Sequence, residues 1–222
     1  MKVCTDSCLF GSWIANKIEE EIIAPKTILD IGSGTGLLSL MIAQKSIAQI
    51  DAIEIDEDSF QETFENFRES LWNKQLQVHH GDIKNWGSKL KYDLIISNPP
   101  FFENDLKANE QNKNVAKHDD ALTFIQLLFA IKSNLATNGN FAVLLPFRRV
   151  EYFTNLAAEN DLYLEEKILL KQTPKHPYFR GMLFFSSNTI TTSSKEIIIK
   201  DETGNYTAEF EALLRDYYLA FI

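Results

Sequence analysis

Thr27-Ile28-Leu29-Asp30-Ile31-Gly32-Ser33-Gly34-Thr35-Gly36-Leu37 is the stretch that decides the fold. Its first five residues form a short apolar strand, and three alternating glycines follow. Leu37 to Gln44 then reads as a helix, with Leu37, Leu38, Leu40 and Met41 apolar. Strand, glycine turn and helix together open an α/β domain built on a parallel sheet. Glycines let the backbone turn sharply and let a ligand approach the main chain closely. The spacing here is G-x-G-x-G, because Leu37 stands where a dinucleotide fingerprint needs its third glycine. That disfavours a nicotinamide dehydrogenase and suits a ligand without a pyrophosphate.

The pattern repeats outward. Gln49 to Ile55 reads as a second strand carrying Glu54, with Asp56 after it. An acid at this strand end can accept both hydroxyls of a ribose. Gln75 to His80 reads as a third strand and runs into Gly81-Asp82-Ile83. There Asp82 can accept from an adenine amine, and Ile83 can pack on the ring. Each acid could equally cap the following helix. All of them nevertheless fall at carboxyl ends of successive strands, where ligands bind in open α/β sheets.

A fourth apolar run, Leu94 to Ile96, leads into Asn98-Pro99-Pro100-Phe101. This tetrapeptide reads as a holder for a flat group bearing an NH2. The Asn98 side-chain oxygen and the Pro99 carbonyl can each accept one hydrogen from the amine. The prolines fix φ, Pro99 brings no competing N–H, and Phe101 offers a stacking face. The bland alternative is a Pro-Pro turn after a strand.

The 222 residues suffice for one domain, and 45% hydrophobic with 24% charged residues is the balance of a soluble globular protein. No apolar run approaches the roughly 20 residues of a membrane span, and the opening residues do not read as a signal peptide. Cys4 and Cys8, the two cysteines, make neither a disulfide framework nor a metal site. A reduced, cytoplasmic protein without metal is expected. The net charge of −9 argues against non-specific adhesion to nucleic acid. Local basic patches could still form at Arg148-Arg149 and between Lys171 and Arg180.

Ser12 to Ile23 reads as a helix, with Thr5-Asp6-Ser7 capping it or leaning toward a ligand. Phe60, Phe64, Phe67 and Leu71 form an apolar stripe expected in the core, as do Leu122, Ile125, Leu128 and Phe129 on a helix over Ala121 to Leu135. Phe101 to Asp120 is a long polar loop beginning at the proposed site, which suggests a substrate-facing lid. Asn138-Gly139-Asn140 is expected to end the preceding helix, and Phe141 to Leu145 to form a buried strand. His79-His80 is expected to be structural. Leu162 to Leu170 and Met182 to Ser186 read as strands. Between them, Lys171 to Arg180 is a basic, proline-containing loop, either a solvated hairpin tip or a nucleic-acid contact through Lys171, Lys175, His176 and Arg180. Glu196 to Lys200 reads as a last strand and Ala208 to Leu219 as a terminal helix. The chain divides into an N-terminal helical segment (1–24), a cofactor-binding core (25–160) and C-terminal strands with a helix (161–222), all in one domain.

The glycine turn, the two strand-end acids and Asn98-Pro99-Pro100-Phe101 resemble the S-adenosylmethionine-dependent methyltransferases that act on exocyclic amines. Within that class, the opening Met1-Lys2-Val3-Cys4-Thr5-Asp6-Ser7-Cys8-Leu9-Phe10-Gly11 is similar to the "MKVGTDG-LLG" opening of the bacterial tRNA1(Val) adenine-N6-methyltransferase family. So are Asp93 to Pro100 and the ending from Asn205-Tyr206-Thr207 to Tyr217-Tyr218-Leu219. The family usually has Tyr where this chain has Phe101, and a short segment before the position of Met1.

The resemblance implies a Rossmann-like class I methyltransferase. Its sheet would be mostly parallel and seven-stranded, with an antiparallel C-terminal strand and helices on both faces. It implies S-adenosylmethionine at Thr5, Asp30, Gly32, Ser33, Gly34, Gly36, Glu54, Ile55, Asp82, Ile83 and Asn98. Asn98, Pro99, Pro100 and Phe101 would hold the adenosine beside a valine tRNA anticodon, and Phe102 would contact the RNA. A monomer is expected. Rival readings are a guanine-N2 rRNA methyltransferase, a protein-glutamine N5-methyltransferase (whose extra N-terminal helical domain does not fit before Thr27) and a non-catalytic cofactor- or RNA-binding module.

Overall fold

Apolar residues alternate between two faces on every central strand, and both faces are covered. The computed structural model describes residues 4–87, 90–99, 122–188 and 191–218. Its centre is one sheet of eight strands: β1 (Thr27–Ile31), β2 (Gln49–Glu54), β3 (Leu76–His80), β4 (Tyr92–Ser97), β5 (Leu135–Pro146), β6 (Tyr163–Lys171), β7 (Tyr178–Ser186) and β8 (Ser193–Ile198). The spatial order is β3-β2-β1-β4-β5-β7-β6-β8. Only β7 runs antiparallel to its neighbours, so the α/β class stands. The strand count is eight where seven were expected, because β8 adds beside β6 at the edge.

Ile28, Leu94, Ile96, Ala142 and Leu144 pack on one face with α1 (Thr5–Glu19), α2 (Leu37–Ala43), Phe67 of α3 (Glu57–Glu69) and α6 (Ala208–Leu214). Leu29, Ile31, Ile95, Phe141 and Val143 pack on the other with α4 (Phe124–Asn134) and α5 (Val150–Ala158). Burial on both sides is why these strands read as continuous apolar runs. No described helix is long and apolar enough to cross a membrane.

Several sequence expectations shift. The first helix starts at Thr5 rather than Ser12, so Thr5-Asp6-Ser7 form its first turn and Cys4 is its N-cap. On α3 only Thr63 and Phe67 are buried; Phe64 faces solvent, as does Leu71 just past the helix end, and Phe60 stacks on His80 at 5.2 Å. This helix lies over the sheet margin, where one narrow stripe suffices. On α4, closed by a Thr123–Gln126 capping box, Leu127, Leu128 and Ile131 face the sheet while Ile125 and Phe129 are exposed. Asn138-Gly139-Asn140 lies inside β5 rather than ending a helix, with Asn138 at φ +64° beside a register shift against β4. β7 begins at Tyr178, so the expected loop shortens to 172–177, and Tyr178, Phe179 and Arg180 are strand residues. The expected lid, with Pro100, Phe101 and Phe102, lies outside the described residues.

Candidate active site

Parallel pairing of β3, β2, β1, β4 and β5 brings all their carboxyl ends to one edge. The strand order reverses between β1 and β4, which opens a crevice there. Gly32, Gly34 and Gly36 take φ of +71°, +58° and +78°, a region that L side chains resist. They serve different ends. A Cβ on Gly32 would meet nothing, so the turn there faces open space. A Cβ on Gly36 would lie 2.5 Å from the Phe67 ring, so this glycine lets α3 close on the turn. The Thr63 hydroxyl donates to the Gly34 carbonyl at 2.5 Å, and Asn66 Nδ2 to the Thr35 carbonyl at 2.9 Å.

Glu54 holds the neighbouring corner. Its Oε2 accepts from Gly34 N at 2.8 Å, and Oε1 accepts from Ile55 N and Asp56 N at 2.9 Å each. A carboxylate offers about four lone-pair sites, so capacity remains for a ligand hydroxyl. Asp56, rather than Glu54, caps α3 through Ser59 N at 2.9 Å. Asp82 accepts from Lys84 N and pairs with its Nζ at 3.2 Å. Next to these acids Ile55 is exposed and Ile83 buried, giving an apolar surface for a flat ring. His79 and His80 have structural partners, in Asp51 Oδ1 at 2.9 Å and the Ile55 carbonyl at 3.0 Å.

Asn98 follows β4, held in register by Ser97, whose hydroxyl donates to the Ile31 carbonyl at 2.9 Å. Asn98 Nδ2 donates to Ser7 Oγ at 2.9 Å. Its Oδ1 is buried and accepts no hydrogen bond. A buried acceptor left empty is costly unless a ligand fills it. Pro99 is buried beside it. Ser33 Oγ in the glycine turn and Asp30 Oδ1 on β1 are likewise buried without partners. Burial pushes the Asp30 carboxyl up to about 7; the Ser39 hydroxyl, donating at 2.7 Å, opposes this, and the Glu54 charge adds to it. Empty acceptors, an open Gly32 and a spare lone pair on Glu54 suit a ligand rich in amine and hydroxyl donors.

The first turn of α1 closes the crevice. Thr5 and Cys8 both hydrogen-bond with the Tyr218 hydroxyl. Asp6 Oδ2 accepts from Arg180 Nε at 2.7 Å. Of the other basic residues expected to meet nucleic acid, Lys171 pairs with Glu196 at 3.1 Å and His176 with Thr173 at 2.7 Å, while Lys175 stands 3.9 Å from Glu202. Ser7, expected to cap the helix or lean toward a ligand, instead accepts from Asn98. Ser39 and Thr63, which bond the Asp30 carboxyl and the Gly34 carbonyl, are supporting residues that no local pattern marks.

Comparison with known proteins agrees with this geometry. Residues 11–143 match the family model of the methyltransferase small domain. A tRNA1(Val) (adenine(37)-N6)-methyltransferase of Flavobacterium johnsoniae is 39% identical over 99% of this chain and 93% of its own length. One of the same name from Proteus mirabilis is 33% identical, over 100% of this chain and 88% of its own. Among solved structures, one described as a predicted O-methyltransferase from Agrobacterium tumefaciens superposes with a TM-score of 0.70 at 13% identity, covering 93% of this chain and 94% of its own. A methyltransferase from Pyrococcus furiosus gives 0.58 at 17%, covering 82% and 83%. These two share the fold. With the sequence relatives, the strand order and the Asn98 site in agreement, the chain belongs to the tRNA1(Val) (adenine(37)-N6)-methyltransferase family.

Proposed function

We propose that this protein transfers a methyl group from S-adenosylmethionine to the N6 amine of adenine 37 in a valine tRNA. The observation that carries this reading is the state of Asn98. Its amide nitrogen is committed to Ser7 and its oxygen is buried and empty, so the side chain is oriented as an acceptor. An exocyclic amine supplies the missing donor.

The cofactor's residues follow from the same edge. Gly32 and Ser33 border the space for its amino-acid end, Glu54 has capacity for a ribose hydroxyl, and Ile55, Asp82 and Ile83 surround the space for its adenine. The bound cofactor supplies an electrophilic methyl on a sulfonium. Asn98 Oδ1 and the Pro99 carbonyl accept the two N6 hydrogens, which turns the nitrogen lone pair out of conjugation and aims it. Alignment of this kind is worth on the order of 7–11 kcal/mol. No strong base is required, because the amine becomes acidic once it carries the new methyl and positive charge. The base must leave its stack to reach Asn98, at a cost of a few kcal/mol.

The test is transfer of labelled methyl from S-adenosylmethionine to total bacterial tRNA, with rRNA and protein extract in parallel, followed by nucleoside analysis. Label as N6-methyladenosine in tRNA is the expected result. Label as N2-methylguanosine in rRNA, or on protein glutamine, overturns it.

A further inference from the structure

Most cations at the catalytic edge are already neutralised. Arg180 is held by Asp6, Lys171 by Glu196 and Lys84 by Asp82. Arg148 and Arg149 differ. Among the described residues neither has a carboxylate or a hydrogen-bond acceptor. Arg148 is exposed, whereas Arg149 is only 7% exposed with Nη2 buried and unpartnered. An uncompensated buried cation is expensive, and in a low-dielectric setting its field reaches the rim weakly screened. Arg148 is the one of the two that an anion can reach directly.

The location is informative. Ser97 pairs with Val143, so Pro146, the last residue of β5, stands two residues beyond the level of Asn98 on the adjacent strand, about 7 Å along it, and Phe147 opens the 3-10 turn that follows. Phe147 is 40% exposed, and its ring lies 5.1 Å from that of Tyr178, which enters from β7. Pro146 pairs with Arg180, so both aromatic residues belong to this rim. Arg149 is the N-cap of α5, with no side-chain cap, so first-turn N–H groups add positive potential; exposed Glu151 in that turn opposes them. Tyr178 is itself held, with Lys171 Nζ 4.5 Å from its ring centroid and its hydroxyl donating to Glu196 at 2.7 Å, so it backs the more open Phe147 ring. An exposed cation next in the chain to a partly open ring fits a single-stranded nucleic acid, whose phosphates need charge and whose bases need faces.

We infer that Phe147, Arg148, Arg149 and Tyr178 form the surface that receives the RNA strand flanking the target adenosine. Arg148 contacts a phosphodiester oxygen, Arg149 acts behind it through its field, and the Phe147 ring, backed by Tyr178, stacks on a neighbouring base. This rests on the tRNA reading above and moves the main contact away from Lys171 and Arg180, which are paired with carboxylates, and from Lys175, which stands at the tip of the 172–177 loop 3.9 Å from Glu202.

The experiment uses the full chain and an unmodified valine tRNA. Binding is followed by fluorescence anisotropy across a salt series, with methyl-transfer kinetics on the same samples. Arg148→Gln is expected to raise Kd and KM for tRNA about tenfold, as for loss of one charge-assisted bond, and to flatten the slope of log Kd against log salt by about 0.7. Arg149→Gln acts in the same direction, and Arg149→Lys, which keeps the charge, restores most of the slope. Affinity for S-adenosylmethionine, read by calorimetry, stays at the wild-type value and shows that the variants fold. Lys171→Gln and Lys175→Gln change the slope by less than half as much. If wild type methylates tRNA and both arginine variants keep its slope, or the lysine variants take the larger loss, this inference falls and the tRNA reading stands. If wild type neither binds nor methylates tRNA, both fall.

Discussion

Asn98 and Ser7, 91 residues apart, meet in a 2.9 Å hydrogen bond in which the amide nitrogen donates to the serine hydroxyl. The bond holds the plane of the amide, and with the nitrogen on Ser7 the buried, empty oxygen is what remains for a substrate amine. Asn98→Ala is expected to lower kcat about a hundredfold, the scale of losing one preorganised transition-state contact, with little change in cofactor Kd. Ser7→Ala leaves the amide free to turn over and should lower kcat about fivefold, with KM for the cofactor unchanged. Steady-state kinetics on both variants check this; equal losses in kcat and cofactor affinity would instead indicate a collapsed site.

The glycines of the turn should separate stability from binding. Gly36→Ala places a methyl 2.5 Å from the Phe67 ring at φ +78° and should cost about 3 kcal/mol in urea unfolding. Gly32→Ala meets open space at φ +71° and should cost only about 1 kcal/mol, while weakening S-adenosylmethionine binding more than Gly36→Ala does. Calorimetry and denaturation on the pair give the comparison.

Glu54 accepts from three backbone N–H groups, and glutamine can accept from only one oxygen. In Glu54→Gln the new NH2 confronts an N–H, either of Gly34 or of Ile55 and Asp56. The expected outcome is a loss of about 2 kcal/mol in stability and roughly tenfold weaker cofactor binding. A cofactor Kd within twofold of wild type would show that the carboxylate acts on the turn alone.

Asp30 gives a pH signature. Its carboxyl is raised by burial from 3.8 to about 7, so the native state binds a proton that the unfolded chain releases. The stabilisation is complete below about pH 3.8 and is lost as pH rises through about 7. Subtracting the stability curve of Asp30→Asn from that of wild type should expose a decline of a few kcal/mol at most over that window. A difference curve that is flat or rises with pH would show that Asp30 is ionised in the folded protein.

The backbone-level features were legible: the β1–glycine turn–α2 unit and the parallel strands ending in Glu54, Asp82 and Asn98 follow from chirality, period and strand-end chemistry. The phase of the helices was less so. A stripe at spacings of three and four on α3 fits two registers, and the position of the helix over the sheet margin selects Thr63 and Phe67 while leaving Leu71 in solvent. Long-range polar pairs were invisible. Nothing around Ser7 announces Asn98, and nothing around Arg180 announces Asp6, 174 residues away. The Lys171–Arg180 segment was read from its charges without their partners, which only the folded chain brings beside them.

The early placement of α1 has a consequence for synthesis. Its first turn contacts Asn98 and Arg180, Ser12 Oγ donates to the Leu213 carbonyl, and Lys17 meets Glu166 at 2.5 Å. The amine holder is therefore fastened by segments far apart in the chain. A nascent chain that has emerged past Asn98 already has the four strands of the cofactor edge but lacks β7 and α6 to seat the helix that carries Ser7. The site is complete only once both of those elements have been made.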